Sequence, residues 1–342
     1  MTAAYPLRLQ PYFRDYLWGG RQLASELGKN IPATGVWAES WEIVDHPEHS
    51  SLIVNGAFAG KTLSQVIAAE REWLLGGYLD SESRATMGGG LDSESRATLP
   101  LLLKYLDCQR VLSVQVHPDD SYALRMSPPD LGKTEAWVII AAQPGAVLYA
   151  GLQSGATSAD MQTALQAGEV ERCLHVLHPQ AGDCIFIPAG TVHALGAGLL
   201  VAEIQQASNT TFRLFDWNRL GADGQPRPLH VAQSLEVIDF ASGPRRLQTP
   251  LPTGQAGRER LVACDKFTLD RLQCSTQSEV NIPVGGDDRF HMLTVPSGEA
   301  TLTWDGSSER LTAGQSLLLP AAMPASEVRL GGHTVVLDMW LP

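Results

Sequence analysis

Cysteine is scarce and unpatterned in this chain. The five cysteines, Cys108, Cys173, Cys184, Cys264 and Cys274, are odd in number and form no CxxC pair. That argues against a disulfide framework and fits reduced thiols in a cytoplasmic protein. A cationic surplus is also missing: 25 Lys and Arg against 37 Asp and Glu leave a net charge of −12. No nucleic-acid partner is expected, and any anionic ligand must be held by local Lys or Arg against the global field. No apolar run approaches the roughly 20 residues of a membrane helix. The opening "MTAAYPLRLQPYFRDYLWGG" has no basic segment followed by an apolar core, so neither a membrane partner nor a signal peptide is expected. The 342 residues, 44% of them hydrophobic, predict one large or two ordinary globular domains in the cytoplasm.

Glycine (32) and proline (21) are plentiful and punctuate many short β-branched runs. Helical patterns occupy 61–75, 158–177 and 230–240. Strand-like runs include 51–54, 111–117, 135–141, 184–187, 199–205, 211–215, 261–272, 290–295, 300–304, 316–319 and 334–340. Such spacing predicts a mainly β fold with some helices, as a sandwich or jelly roll. Two internal repeats stand out. "LDSESRAT" occurs at 79–86 and again at 91–98, which predicts a polar surface insertion at 79–98. More distantly, "AGDCIFIPAGTVHA" (181–194) matches "AGQSLLLPAAMPAS" (313–326) at an offset of 132 residues. Both read as a turn, a buried strand, then proline and small residues, as two copies of a small β-barrel would. The second copy has Ala325 where the first has His193, so only the first can be a site.

Along 111–117, Val111, Ser113, Gln115 and His117 alternate with Leu112, Val114 and Val116, the period of a strand. Gln115 and His117 therefore point the same way. Lys133 and Glu135 repeat the device on a second apolar strand, and His193 follows in a Gly-rich turn. Two imidazoles, a carboxylate and an amide oxygen suit zinc or another divalent metal. A neutral hydrogen-bonded network is the competing account of the same residues.

"SVQVHPDD", "GKTEAW", "FIPAGTVHALGAG" and "EIQQASNTTFRLFDWNR", in this order, resemble the type I mannose-6-phosphate isomerases in their short bacterial form. The resemblance begins at "PLRLQPYFRDYLWGG", runs through "ESWEIVDHPEHSSLIVNG" and "LPLLLKYLD", and fades after about residue 240. It implies a zinc cupin of two jelly-roll barrels, the first metal-binding and the second degenerate. The catalytic domain would span 1–240 with helical additions, and a metal-free jelly roll 241–342. By the same resemblance Gln115, His117, Glu135 and His193 hold one zinc per chain. Lys104 matches a lysine near the active site.

The implied reaction interconverts mannose 6-phosphate and fructose 6-phosphate through a cis-enediol. It needs an electrophile at the O1/O2 side and a base near the carbons. Zinc supplies the first, aided by Arg213 and Lys133, while Lys104, Ser113 and His46 are expected to bind substrate. Glu203 is the first choice of base, with a pKa raised by its apolar neighbours; His46 and a metal-held water are rivals. A non-catalytic sugar-phosphate-binding cupin is the alternative function, and its mark would be loss of a ligand, Arg213 or Glu203. All are present. A sugar phosphate is the expected partner and a monomer the expected state, with a weak dimer as the other outcome.

Overall fold

The structure is a computed structural model and describes residues 3–77, 98–221, 224–274 and 279–342. The expected insertion at 79–98 lies, apart from Thr98, outside the described residues. The fold is mainly β and is organised as two pairs of antiparallel sheets.

In the first pair, a six-stranded sheet runs in the order Tyr12–Arg14, Glu39–Ile43, Leu101–Cys108, Leu199–Gln206, Glu135–Ala142 and Cys184–Ile187. It faces a five-stranded sheet ordered Phe212–Phe215, Val114–Val116, His193–Leu195, Leu148–Leu152 and Leu174–Leu177. Leu106, Trp137, Ile139, Ile185, Leu199 and Val201 of the first meet Leu148, Ala150 and Leu195 of the second.

The second pair sets a six-stranded sheet against a four-stranded one. The larger is ordered Leu251–Pro252, Arg258–Ala263, Thr268–Gln273, Val335–Trp340, His291–Ser297 and Ser316–Leu319. The smaller is ordered Val280–Val284, Ser326–Leu330, Glu299–Trp304 and Ser307–Thr312.

The two six-stranded sheets also share an apolar cluster. Leu101, Leu103, Tyr105, Ala136, Val138, Ala202 and Ile204 join Phe267, Leu269, Met292, Leu337 and Met339, and Tyr105 and Thr294 hydrogen-bond across the joint. The first six-stranded sheet is thus buried on both faces, which is why its strands read as nearly unbroken apolar runs. Alternation then decides function. Leu200, Ala202 and Ile204 face the joint, while Leu199, Val201, Glu203 and Gln205 face the five-stranded sheet.

Three sequence expectations change. The helix expected over 158–177 is confined to Ser158–Ala167 because Gly168 closes it in the left-handed conformation (φ 70°), and Leu174–Leu177 is a strand. The run 261–272 is a hairpin, Arg258–Ala263 and Thr268–Gln273, turned where Cys264 N–H meets the Phe267 carbonyl. At 51–54 there is no named strand, only isolated bridges at Leu52 and Ile53. Among the described residues, no helix is long and apolar enough to cross a membrane.

Candidate metal centre

Strand register builds the site. Gln115 pairs with His193 on one side and with Arg213 on the other, so three polar side chains lie abreast on the five-stranded sheet. On the facing sheet Gln205 pairs with Glu135, and Glu203 with Lys104. His117 follows the end of its strand, where its carbonyl accepts from Gly190 N–H at 2.8 Å.

The two sheets converge on a buried triad. Nε2 of His193 lies 3.3 Å from Glu135 Oε1, and Nε2 of His117 lies 3.6 Å from Oε2. One donor atom from each of the three falls within 4.8 Å of the others. Each imidazole has its tautomer set by a carbonyl: His117 donates Nδ1–H to Thr210 and His193 donates Nδ1–H to Thr191, both at 2.9 Å. Both Nε2 lone pairs therefore face inward. Burial lowers His193 to about 4 and, with the Lys133 charge, holds His117 well below the usual imidazole range. The rings are neutral, as ligands must be.

This donor set fits a divalent cation. Among the described residues Glu135 Oε1 has no hydrogen-bond partner, and an imidazole nitrogen that carries no proton lies 3.3 Å from it. Two buried lone-pair atoms face each other, at a desolvation cost of about 1–3 kcal/mol for an unmet group. A cation between them removes that cost. Lys133 meets part of the demand, donating to Glu135 Oε2 at 2.6 Å and lying 3.1 Å from His117 Nε2. Gln115 turns its amide nitrogen to His193 Nε2 at 3.2 Å; turning the amide over presents its oxygen instead. Burial pushes Glu135 up to about 7, against the pull of Lys133.

Above the triad opens a cavity of about 300 Å³. Lys104, Ser113, Gln115, Lys133, Glu203 and Arg213 all line it. His46 does not. It sits in the hairpin of Asp45–His46 and His49–Ser50, with Nε2 3.8 Å from Asp130, so the structure does not bring it to the substrate space. Glu203 accepts from Trp137 Nε1 at 2.9 Å and pairs with Lys104 Nζ at 3.0 Å, with Lys133 Nζ at 3.7 Å. Its expected raised pKa is corrected. Burial alone would raise it, but Lys104 and Lys133 outweigh burial and hold the carboxyl below its ordinary value. Apolar neighbours on its own strand were a poor guide because Lys104 comes from a neighbouring strand and Lys133 from the segment just before another.

Sequence reasoning missed Tyr16, Trp18, Glu39, Asn209, Thr211 and Arg227, which also line the cavity. Thr211 was findable, since it alternates with Arg213. Arg227 was not, because it arrives on a loop, held by Asp216 at 2.5 and 2.7 Å. Asp216 also binds Arg219.

Fold and site together define a mainly β protein with a metal-type donor set at the foot of a cation-lined cavity. Residues 7–135 match the family model described as phosphomannose isomerase type I, catalytic domain. The chain is 33% identical over 319 residues to the mannose-6-phosphate isomerase of Streptococcus mutans, covering 93% of each. It is 32% identical over 335 residues to mannose-6-phosphate isomerase ManA of Bacillus subtilis, covering 96% of each. The crystal structure of the Bacillus subtilis mannose 6-phosphate isomerase superposes with a TM-score of 0.83 at 29% identity, over 98% of this chain and 99% of that one. This chain belongs to the type I mannose-6-phosphate isomerase family.

Proposed function

We propose that the protein interconverts mannose 6-phosphate and fructose 6-phosphate by moving a proton between C1 and C2 through a cis-enediol. One zinc per chain is assigned to Gln115, His117, Glu135 and His193. Bound there, zinc supplies a Lewis acid toward the sugar's C1 and C2 oxygens. Lys104 and Ser113 are assigned to binding the sugar. Glu203, held as a carboxylate by Lys104 and Lys133, is the group that takes the proton from one carbon and returns it to the other. Arg213 and Lys133 oppose the negative charge that develops on the enediol oxygens. Trp137 keeps Glu203 aimed by donating to its Oε2.

In this reading the two sheet pairs are two cupin-type jelly rolls, a catalytic unit at 1–240 and a metal-free unit at 241–342. The protein acts as a monomer in the cytoplasm, in keeping with its five free cysteines. The observation that carries the proposal is the meeting of Glu135, His117 and His193 beneath a wall bearing Lys104, Lys133, Glu203 and Arg213. A coupled assay with mannose 6-phosphate, run before and after chelation, tests it. Turnover that is lost on chelation and restored by zinc is expected. Binding of the sugar phosphate without turnover in the zinc-loaded protein would favour a non-catalytic cupin instead.

A further inference from the structure

Both imidazoles of the triad are oriented by the same device. The carbonyl that receives His117 Nδ1–H belongs to Thr210, and the one that receives His193 Nδ1–H belongs to Thr191. Each threonine is then gripped through its hydroxyl by a charged side chain from a distant segment. Thr210 Oγ1 donates to Asp130 Oδ2 at 2.5 Å, and the same oxygen accepts from Ser208 Oγ at 2.9 Å. Arg245 Nε donates to Thr191 Oγ1 at 3.2 Å.

The anchors are themselves tied down. Asp130 Oδ1 accepts from Leu131 N–H at 2.8 Å with His46 3.8 Å away, and its own N–H reaches the Ala123 carbonyl. Arg245 donates its backbone N–H to Ala150, the residue paired with His193 across the sheet. Neither Asp130 nor Arg245 lines the cavity.

We infer that Asp130 and Arg245 are positioning residues for the metal, acting through the Thr210 and Thr191 carbonyls that fix the tautomer and tilt of His117 and His193. The physical reason is that both threonines lie outside the regular strands. Thr210 lies just before the strand Phe212–Phe215, and Thr191 lies in the turn before His193–Leu195. A carbonyl on such a segment can aim an imidazole only if its own residue is held. The charge on each anchor strengthens the hydroxyl bond that does the holding. The inference rests on the metal reading above and extends it to residues outside the cavity.

The test is zinc affinity of the metal-stripped full chain, measured by competition with a chromophoric chelator, for Thr210→Val, Thr191→Val, Asp130→Ala and Arg245→Ala. Valine keeps the carbonyl that the histidine uses and removes only the hydroxyl. Each variant should bind zinc about tenfold more weakly, the lower end of the range for outer partners of metal ligands. Thr210→Ser should restore the affinity. Adding Asp130→Ala to Thr210→Val should weaken binding no further, because both cut the same link. Nitrogen NMR of the metal-free protein gives a second readout, in which His117 should be the Nδ1–H tautomer and become mixed in Thr210→Val. Should Asp130→Ala fail to fold, Thr210→Val decides the matter. Folded valine variants with wild-type affinity and an unchanged tautomer would overturn the inference and leave the metal site standing. A wild-type chain that binds no zinc would take down both.

Discussion

His291 stands in the C-terminal six-stranded sheet where Glu135 stands in the first. Glu135 pairs with Ile187 and His291 with Leu319, and these partners are equivalent positions of the internal repeat. The neighbours correspond too. Glu203 pairs with Lys104, and Asp338 with Asp270, at the matching places of the two sheets. The second sheet has replaced an acid by a histidine and a lysine by an acid. Arg258 closes the cluster, reaching Asp270 at 2.9 Å and Asp338 at 3.0 Å, while His291 Nδ1–H meets Asp338 at 2.7 Å. A guanidinium and an imidazole supply the positive charge there, and the acids are already satisfied.

That cluster makes stability depend on pH. Burial alone would lower His291, but Asp338 and Asp287 raise it from the ordinary 6.5 to about 9. The stabilisation is complete below about 6.5, the unfolded value, and disappears as pH rises through about 9. The melting temperature of the metal-free protein should fall between these limits, and His291→Asn should flatten that slope. A wild-type slope retained in the variant would assign the effect elsewhere.

His193→Ala should abolish tight zinc binding and turnover together. Metal analysis of the purified variant checks this, with the assay run in the presence of added zinc. Full metal content with full turnover would remove His193 from the ligand set.

Arg213→Ala should lower turnover by roughly 100- to 1,000-fold, the usual cost of a transition-state donor, about 2.7–4 kcal/mol. Zinc content should not change. Arg213 Nη1 donates to the Pro228 carbonyl at 2.9 Å, and among the described residues its Nε has no partner. Loss of zinc with chemistry intact would reverse the role assigned to it.

Glu203→Gln should keep zinc and bind substrate nearly as well, yet stop exchange of the C1/C2 hydrogen with solvent deuterium, because an amide cannot accept that proton. His46→Asn should leave exchange in place, as His46 lies outside the cavity lining. The opposite ranking would move the base to the hairpin at 45–50 without disturbing the family or the fold.

The candidate site residues were legible because each breaks an apolar alternation: Gln115 among valines, Glu135 before "AWVII" and Glu203 within "LLVAEIQQ". A polar side chain inside such a strand needs a partner, and that need is visible without coordinates. The place of His46 outside the cavity lining was not legible for the opposite reason. "DHPEHSS" is polar throughout, so nothing in it separates a hairpin from a cavity wall. The signs of the pKa shifts were also out of reach, since Lys104 and Glu203 are brought together by register across 98 intervening residues. Of the fold, strands buried on both faces were readable, whereas Leu174–Leu177 was hidden behind the helix that precedes it in sequence.

Leu7 and Leu318 exchange backbone hydrogen bonds of 2.8 and 3.0 Å, and Arg8 reaches Glu309 and the Arg310 carbonyl. During synthesis, every residue assigned to the metal and to the sugar has been made by residue 213. At that moment Leu7 still lacks Leu318, and the face of Leu101–Cys108 that carries Leu103 and Tyr105 still lacks Phe267, Leu269, Met292, Leu337 and Met339. The nascent chain therefore carries every residue assigned to the site on a sheet whose back is still incomplete. Until the strands at 268–340 arrive, the apolar side chains of that face lack the partners that cover them in the folded chain.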